Sequence, residues 1–303
     1  MAAGMGKPRQ VLPGKTYMVS RRCLLRMFLL RPSKKVNEVF LYCLAAAAER
    51  FGVAVHSFCV MSNHYHLVIT DQRGELPLFM HLLNQLTSRA INSLLGRFES
   101  FWAQGTYSAV ELPDDDAIID KIAYTLANPV SAGLVQTGRS WPGLRNLPED
   151  VGSRVLVVQR PLQFFRKDGA LPAEIALEIA LPPFEDLSGE DARSCIAAAV
   201  EAQEDAARSR IAAEGRKFLG RRAIRDQSSF DRPDSRESRF RINPRTAGRD
   251  KWKRIETLSR LRSFLEAYRE AKAAYLSGHT GAVFPAGTWL MRVRYGVACA
   301  DTG

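Results

Sequence analysis

The chain has 303 residues, 46% of them hydrophobic, and a formal net charge of +11. That is enough apolar sequence for one or two packed domains, while five scattered cysteines (Cys23, Cys43, Cys59, Cys195, Cys299) offer neither a zinc spacing nor a disulfide framework. No stretch approaches a membrane span and Met1 to Gln10 lack an apolar signal core, so a soluble, cytoplasmic protein with no membrane partner is expected.

In chain order, Thr16 to Arg22 reads as a first strand. Val36, Phe40, Leu44 and Phe51 mark a helix from about Ser33 to Phe51. Val53 to Met61 is a second strand and His64 to Thr70 a third. With only Ser62 and Asn63 between them, the two should form a hairpin. Leu76, Met80, Leu83, Leu86 and Ala90 trace another helix, and Tyr107 to Leu112 a short strand. From Pro113 to Val135, Asp114, Asp115 and Asp116 supply the cap and first turn of a helix whose apolar face is Ile118, Ile119, Ile122 and Leu126. Pro129 disfavours helical geometry at Asn128, so this helix should end or kink there. The order β-α-β-β-α-β predicts an α+β fold, a ferredoxin-like split βαβ sandwich with an antiparallel sheet and helices on one face.

Residues 1–150 are expected to form this first domain, and 151–303 a mainly helical, basic C-terminal region. Beyond Trp141, prolines at 142, 148, 161, 172, 182 and 183 punctuate a variable linker with strand and helix fragments. Asp191 to Leu219 should be helical, and Ser228 to Arg249 a loop or disordered linker. Trp252 to Tyr275 should be amphipathic, with Ile255, Leu258, Leu261, Leu265 and Tyr268 on its apolar face. Residues 206 to 262 hold 18 Lys and Arg against 7 Asp and Glu, and the rest of the chain balances at 25 of each. The whole charge excess therefore sits in one block, which reads either as a nucleic-acid contact surface or as a solvated basic tail. No glycine-rich phosphate loop is present, which argues against an ATP-driven enzyme.

Chemistry concentrates in two short segments. In Met61-Ser62-Asn63-His64-Tyr65-His66-Leu67-Val68-Ile69-Thr70, strand alternation turns His64 and His66 to one side and Tyr65, Leu67 and Ile69 to the other. Two imidazoles on one strand face can share a divalent metal, although two ordinary histidines near a strand end look the same. In the later helix, Lys121, Tyr124 and Asn128 cluster away from the apolar face, and Tyr124 and Asn128 lie one turn apart. A phenol and an amide oxygen so placed can meet a metal held by the histidines. Alone, they are also what a surface tyrosine and an Asn-Pro helix stop look like.

Together the two segments resemble the single-tyrosine HUH transposases. Met61 to Ile69 resembles their Met-Pro-Asn-His-x-His signature, with Ser62 in place of proline. Tyr124-Thr125-Leu126-Ala127-Asn128-Pro129-Val130-Ser131-Ala132-Gly133-Leu134-Val135 resembles their Tyr-x-x-x-Asn-Pro-Val-x-Ala-Gly-Leu-Val signature. Phe101-Trp102-Ala103-Gln104 and Trp141 fall where REP-associated tyrosine transposases carry similar residues. The resemblance spans about residues 12 to 150. It implies Tyr124 as nucleophile, His64 and His66 as metal ligands with Asn128 as a third, and Mg²⁺ or Mn²⁺ as the cofactor. It implies single-stranded DNA bearing hairpin, REP-like elements as partner, a 5′-phosphotyrosine intermediate, and either a monomer or a homodimer. Many relatives carry a basic residue where Ser131 stands.

Two other classes compete with a strand-transferring enzyme. A domesticated, non-transposing DNA-binding regulator would need the fold and the basic block but none of His64, His66, Tyr124 and Asn128. A replication or mobilisation nickase usually places its tyrosine before the histidines, the reverse of the order here. Lys121 is read either as a phosphate contact or as a solvated lysine, and His56 as a hydrogen-bonded structural residue. Phe101, Trp102 and Tyr107 are read as base-stacking or core aromatics.

Overall fold

The computed structural model describes residues 8–235 and 244–301, so part of the expected Ser228 to Arg249 linker lies outside the described residues. The fold begins with strand β1 (Lys15–Arg22) and helix α1 (Lys34–Phe51). Ser33 caps α1 by accepting a hydrogen bond from the Val36 amide, and Gly52, with φ of 60°, closes it in the left-handed region. Strands β2 (Val53–Val60) and β3 (His64–Asp71) follow, then α2 (Leu76–Leu95), β4 (Ser108–Glu111) and α3 (Asp115–Ser131). These four strands run in the order β4-β1-β3-β2 and every neighbouring pair is antiparallel, the ferredoxin-like arrangement expected. The β2–β3 turn is tight, with the Met61 amide donating to the His64 carbonyl at 2.8 Å.

Which helix covers which face follows from the alternation along β3. Tyr65 faces α1 and α2: its ring lies 5.1 Å from that of Phe40, and its hydroxyl donates to Asn84 Oδ1 at 2.9 Å. His66, one residue on, faces α3, with its ring 5.3 Å from that of Tyr124. Helices on one face therefore describes α1 and α2, while α3 covers the opposite face and α4 (Gly189–Ala213) packs against α3. The reason lies in β3 itself. Leu67, Val68 and Ile69 are all fully buried, so both faces need cover.

The sheet also continues past residue 150. Strands β5 (Arg154–Gln159) and β6 (Glu174–Ile179) form a hairpin, and β6 joins β2 in parallel, giving the six-strand order β4-β1-β3-β2-β6-β5. His56 closes this seam. Its Nδ1 meets the Ala180 carbonyl at 2.9 Å and its Nε2 meets Thr70 Oγ1 at 2.8 Å. Burial lowers its pKa to about 4, so the ring is neutral and structural, as the sequence suggested.

Two helix ends differ from their predicted positions. Helix α3 does not stop at Asn128; it carries Pro129 in its last turn and runs to Ser131. That close to the end, proline costs little, because the turn is finished by Gly133 (φ 73°), whose amide donates to the Val130 carbonyl, and by the Leu134 amide donating to Pro129. Helix α4 stops at Ala213 rather than Leu219, since Gly215 adopts φ of 63° and the Arg216 amide turns back to the Ile211 carbonyl.

The chain ends with α5 (Arg221–Asp226), α6 (Lys251–Leu276) and α7 (Leu290–Tyr295). The apolar stripe predicted for α6 is only partly buried: Tyr268 is inside, Leu261 and Leu265 are half-buried, and Ile255 and Leu258 are exposed. The buried face of α6 is instead Thr257, Phe264 and Tyr268, and polar contacts tie down its first half. The Asp250 amide donates to Asp114 Oδ2 at the start of α3, and Arg260 Nη2 lies 2.6 Å from both oxygens of the buried Glu111 on β4. Arg260→Ala should therefore destabilise the fold by about 3 kcal/mol, since it leaves a buried carboxylate without its cation. Urea denaturation checks this, and the double change Glu111→Gln with Arg260→Met should recover most of the loss.

Candidate functional site

His64 and His66 open β3 on the same face, with ring centroids 4.9 Å apart and planes nearly perpendicular at 87°. Opposite them, α3 presents Tyr124 and Asn128 one turn apart. Tyr124 sets its ring 5.3 Å from that of His66, and Asn128 lies close enough to the His64 side chain to influence its protonation. All four residues singled out in the sequence thus converge, from segments sixty residues apart. Their exposures differ in a useful way: His66 and Asn128 are buried, His64 is half-buried, and Tyr124 is 41% exposed. Tyr124 is thus the most open of the four, and His66 and Asn128 are the most shielded.

Burial also fixes the protonation of the imidazoles. Desolvation, aided by the Arg22 guanidinium, lowers the His64 pKa to about 4, with the nearby Asn128 side chain acting in the other direction. Desolvation first and His64 second hold His66 well below the usual histidine range. Both rings are therefore neutral near pH 7, the form that ligates metals. His66 Nδ1 is buried with no hydrogen-bond partner, a polar atom that the protein leaves unsatisfied. Neutral imidazoles, an amide beside them and one orphaned ring nitrogen fit a bound divalent cation. Among the described residues, no group of three or more His, Cys, Asp and Glu converges to hold one, so a cation here would have to rely on the imidazoles and a neutral donor such as the Asn128 amide.

Other expected participants have different roles. Lys121 Nζ is 5.8 Å from the Tyr124 ring centroid, but it pairs with Asp120 at 2.8 Å, and Asp120 also takes Arg249 at 3.1 Å. In this structure Lys121 is therefore a partly exposed, ion-paired lysine one turn from Tyr124. Phe101 is buried, and Trp102 packs edge-on against Tyr65 while its indole donates to the Asn84 carbonyl at 3.0 Å. Tyr107 lies under the Arg9 guanidinium at 4.4 Å. Trp141 is buried and donates to the Val60 carbonyl at 3.0 Å. Phe101 and Trp141 thus belong to the frame of the site, while Trp102 and Tyr107 are partly exposed.

Sequence reasoning missed Arg22, which lies opposite His64 in the β1–β3 register and so shares its face. No local signal marks it, because the pairing depends on strand register. Part of the basic block is neutralised internally: Arg208 meets Glu201, Glu204 and Asp205, Lys253 meets Glu185, and Arg260 meets Glu111. Among the described residues of this region, exposed aromatic surface comes from Phe230 and Trp252, the latter 73% exposed beside Lys251.

Comparison with known proteins gives a family match over residues 28–116, to the family described as "Transposase IS200 like". The matched segment contains both histidines and ends before Tyr124 and Asn128. The curated proteins searched gave no match. Among solved structures, one described as a REP-associated tyrosine transposase bound to a REP hairpin is 15% identical, with a TM-score of 0.41, covering 50% of this chain and 85% of that one. Another, a candidate transposase of Deinococcus radiodurans R1, is 19% identical with a TM-score of 0.27, covering 36% of this chain and 85% of that one.

Proposed function

We propose that this chain, whose residues 28–116 are IS200-like transposase sequence, cuts and rejoins single-stranded, hairpin-bearing DNA through a covalent bond to Tyr124. The observation that carries the reading is the approach of a half-exposed phenol to a shielded pair of neutral imidazoles. A merely DNA-binding protein needs no such arrangement.

Tyr124 Oη would bond to phosphorus as the P–O3′ bond breaks. The phenol gives up its proton and the departing 3′ oxygen gains one, so the phosphodiester is stored as a 5′-phosphotyrosine and rejoining needs no ATP. A free tyrosine has a pKa of about 10 and is a weak nucleophile, so positioning and charge neutralisation must do most of the work. His64, His66 and Asn128 would hold Mg²⁺ or Mn²⁺, which when bound supplies positive charge for the phosphate oxygens. Both imidazoles keep their lone pairs available at neutral pH because burial disfavours their protonated forms. Arg22, beside His64, adds fixed positive charge at the same face. An unpaired strand suits the site, since a flexible backbone can bend into line with the phenol.

The experiment is incubation of the purified protein with an end-labelled, hairpin-flanked single strand and Mn²⁺. A protease-sensitive, covalent protein–DNA adduct is expected, and it should be absent when the same strand is presented as a fully paired duplex. Binding of the strand without any adduct would leave a DNA binder of the same fold.

A further inference from the structure

The turn before β3 fixes which nitrogen of His64 carries its hydrogen. Asn63 Nδ2 donates to the Arg26 carbonyl at 3.1 Å. A carbonyl only accepts, so this contact determines the orientation of the Asn63 amide and directs Oδ1 the other way. Oδ1 lies 2.7 Å from His64 Nδ1. An amide oxygen carries no proton, so Nδ1 must be the donor and the lone pair is left on Nε2.

The Arg26 carbonyl is itself held in an unusual way. Leu25 and Arg26 are consecutive non-glycine residues in the left-handed region, with φ of 50° and 62°. Side chains adopt that conformation only where their neighbours enforce it. Here the enforcement is visible: the Arg26 amide returns to the Cys23 carbonyl at 3.2 Å, the Met27 amide to Leu24 at 3.0 Å, and the Cys23 amide to the Asn63 carbonyl at 2.8 Å. The strained pair and the residue before the first histidine thus brace each other.

We propose that Asn63 is a positioning residue that holds His64 in its Nδ1–H form, leaving Nε2 to ligate the cation. Its side chain acts through His64 and touches no reacting atom. Hydrogen-bond partners of this kind orient metal-bound histidines, and their loss typically weakens metal binding 10- to 100-fold. The consequence for metal rests on the reading of the site given above; the tautomer itself exists without metal and can be read separately.

Two substitutions separate positioning from simple support of the turn. Asn63→Ala removes both contacts. Asn63→Asp loses the donor toward Arg26 but keeps an oxygen facing His64 Nδ1. In the full-length protein, ¹⁵N NMR of the histidine rings, with His64 assigned by comparison with His64→Gln, should show Nδ1–H in the metal-free wild type. That preference should be lost in Asn63→Ala and kept in Asn63→Asp. By calorimetry, Mn²⁺ affinity should fall 10- to 100-fold in Asn63→Ala and stay within about threefold of wild type in Asn63→Asp. An Nε2–H tautomer in the wild type, an Asn63→Ala affinity within about twofold of wild type, or equal losses in both variants would overturn the role. A wild type that binds no Mn²⁺ would instead refute the metal site, and the NMR result would still decide for or against Asn63.

Discussion

Tyr124→Phe is expected to abolish DNA cleavage, by a factor on the order of 10⁴ or more, while binding to a hairpin-flanked strand stays within about twofold. The change deletes one oxygen from a ring that is 41% exposed. The ring can keep its edge-on contact with His66, and the hydroxyl is not needed for packing, so the cost in fold stability should stay within about 0.5 kcal/mol. Loss of cleavage from a stable, DNA-binding variant is the signature of a missing nucleophile. Gel-based cleavage alongside fluorescence anisotropy measures both quantities on one substrate. A phenylalanine variant that cleaves at more than a small fraction of the wild-type rate would transfer the nucleophile's role to another group.

Removal of the cation, or of its central ligand, should have an effect of similar size. With a chelator, adduct formation should cease and then return on addition of excess Mn²⁺. His66→Ala should be inactive at any Mn²⁺ concentration, because it removes the ring that lies between His64 and Tyr124. Charge neutralisation at a phosphoryl group is worth several kcal/mol, equivalent to about a thousandfold or more in rate. Thermal denaturation offers a readout that needs no DNA. A cation that binds only the folded state adds about 2.7 kcal/mol of stability at a hundred times its Kd. Wild type should therefore melt higher in Mn²⁺, and His66→Ala should not respond. If both proteins respond alike, the ion binds elsewhere.

The parts of this molecule that were legible in the sequence are those whose signals are local. Strand alternation assigned His64 and His66 to one face, and helical spacing set Tyr124 and Asn128 one turn apart. The βαββαβ order followed from short apolar runs separated by caps and turns. What escaped was decided at long range. The face that α3 covers depends on how a strand buried on both sides is enclosed, and Leu67-Val68-Ile69 does not say which helix does it. Strands β5 and β6 are short and lie amid prolines, and only their pairing with β2 makes them part of the sheet. In α6 the apolar spacing suggested a stripe through Ile255 and Leu258, but the buried residues are Thr257, Phe264 and Tyr268, and Arg260 is turned to the distant Glu111. Arg22 and the two left-handed residues beside Asn63 were invisible for the same reason: a register and a backbone conformation leave no mark in composition.

The most direct test of the central claim is to locate the covalent bond. Wild-type protein is reacted with a hairpin-flanked single strand in Mn²⁺, the adduct is digested with protease and nuclease, and the modified peptide is sequenced by mass spectrometry. A nucleotide 5′-phosphate on Tyr124 is the predicted result. An adduct on any other residue, or none from protein that binds both Mn²⁺ and the strand, would contradict it.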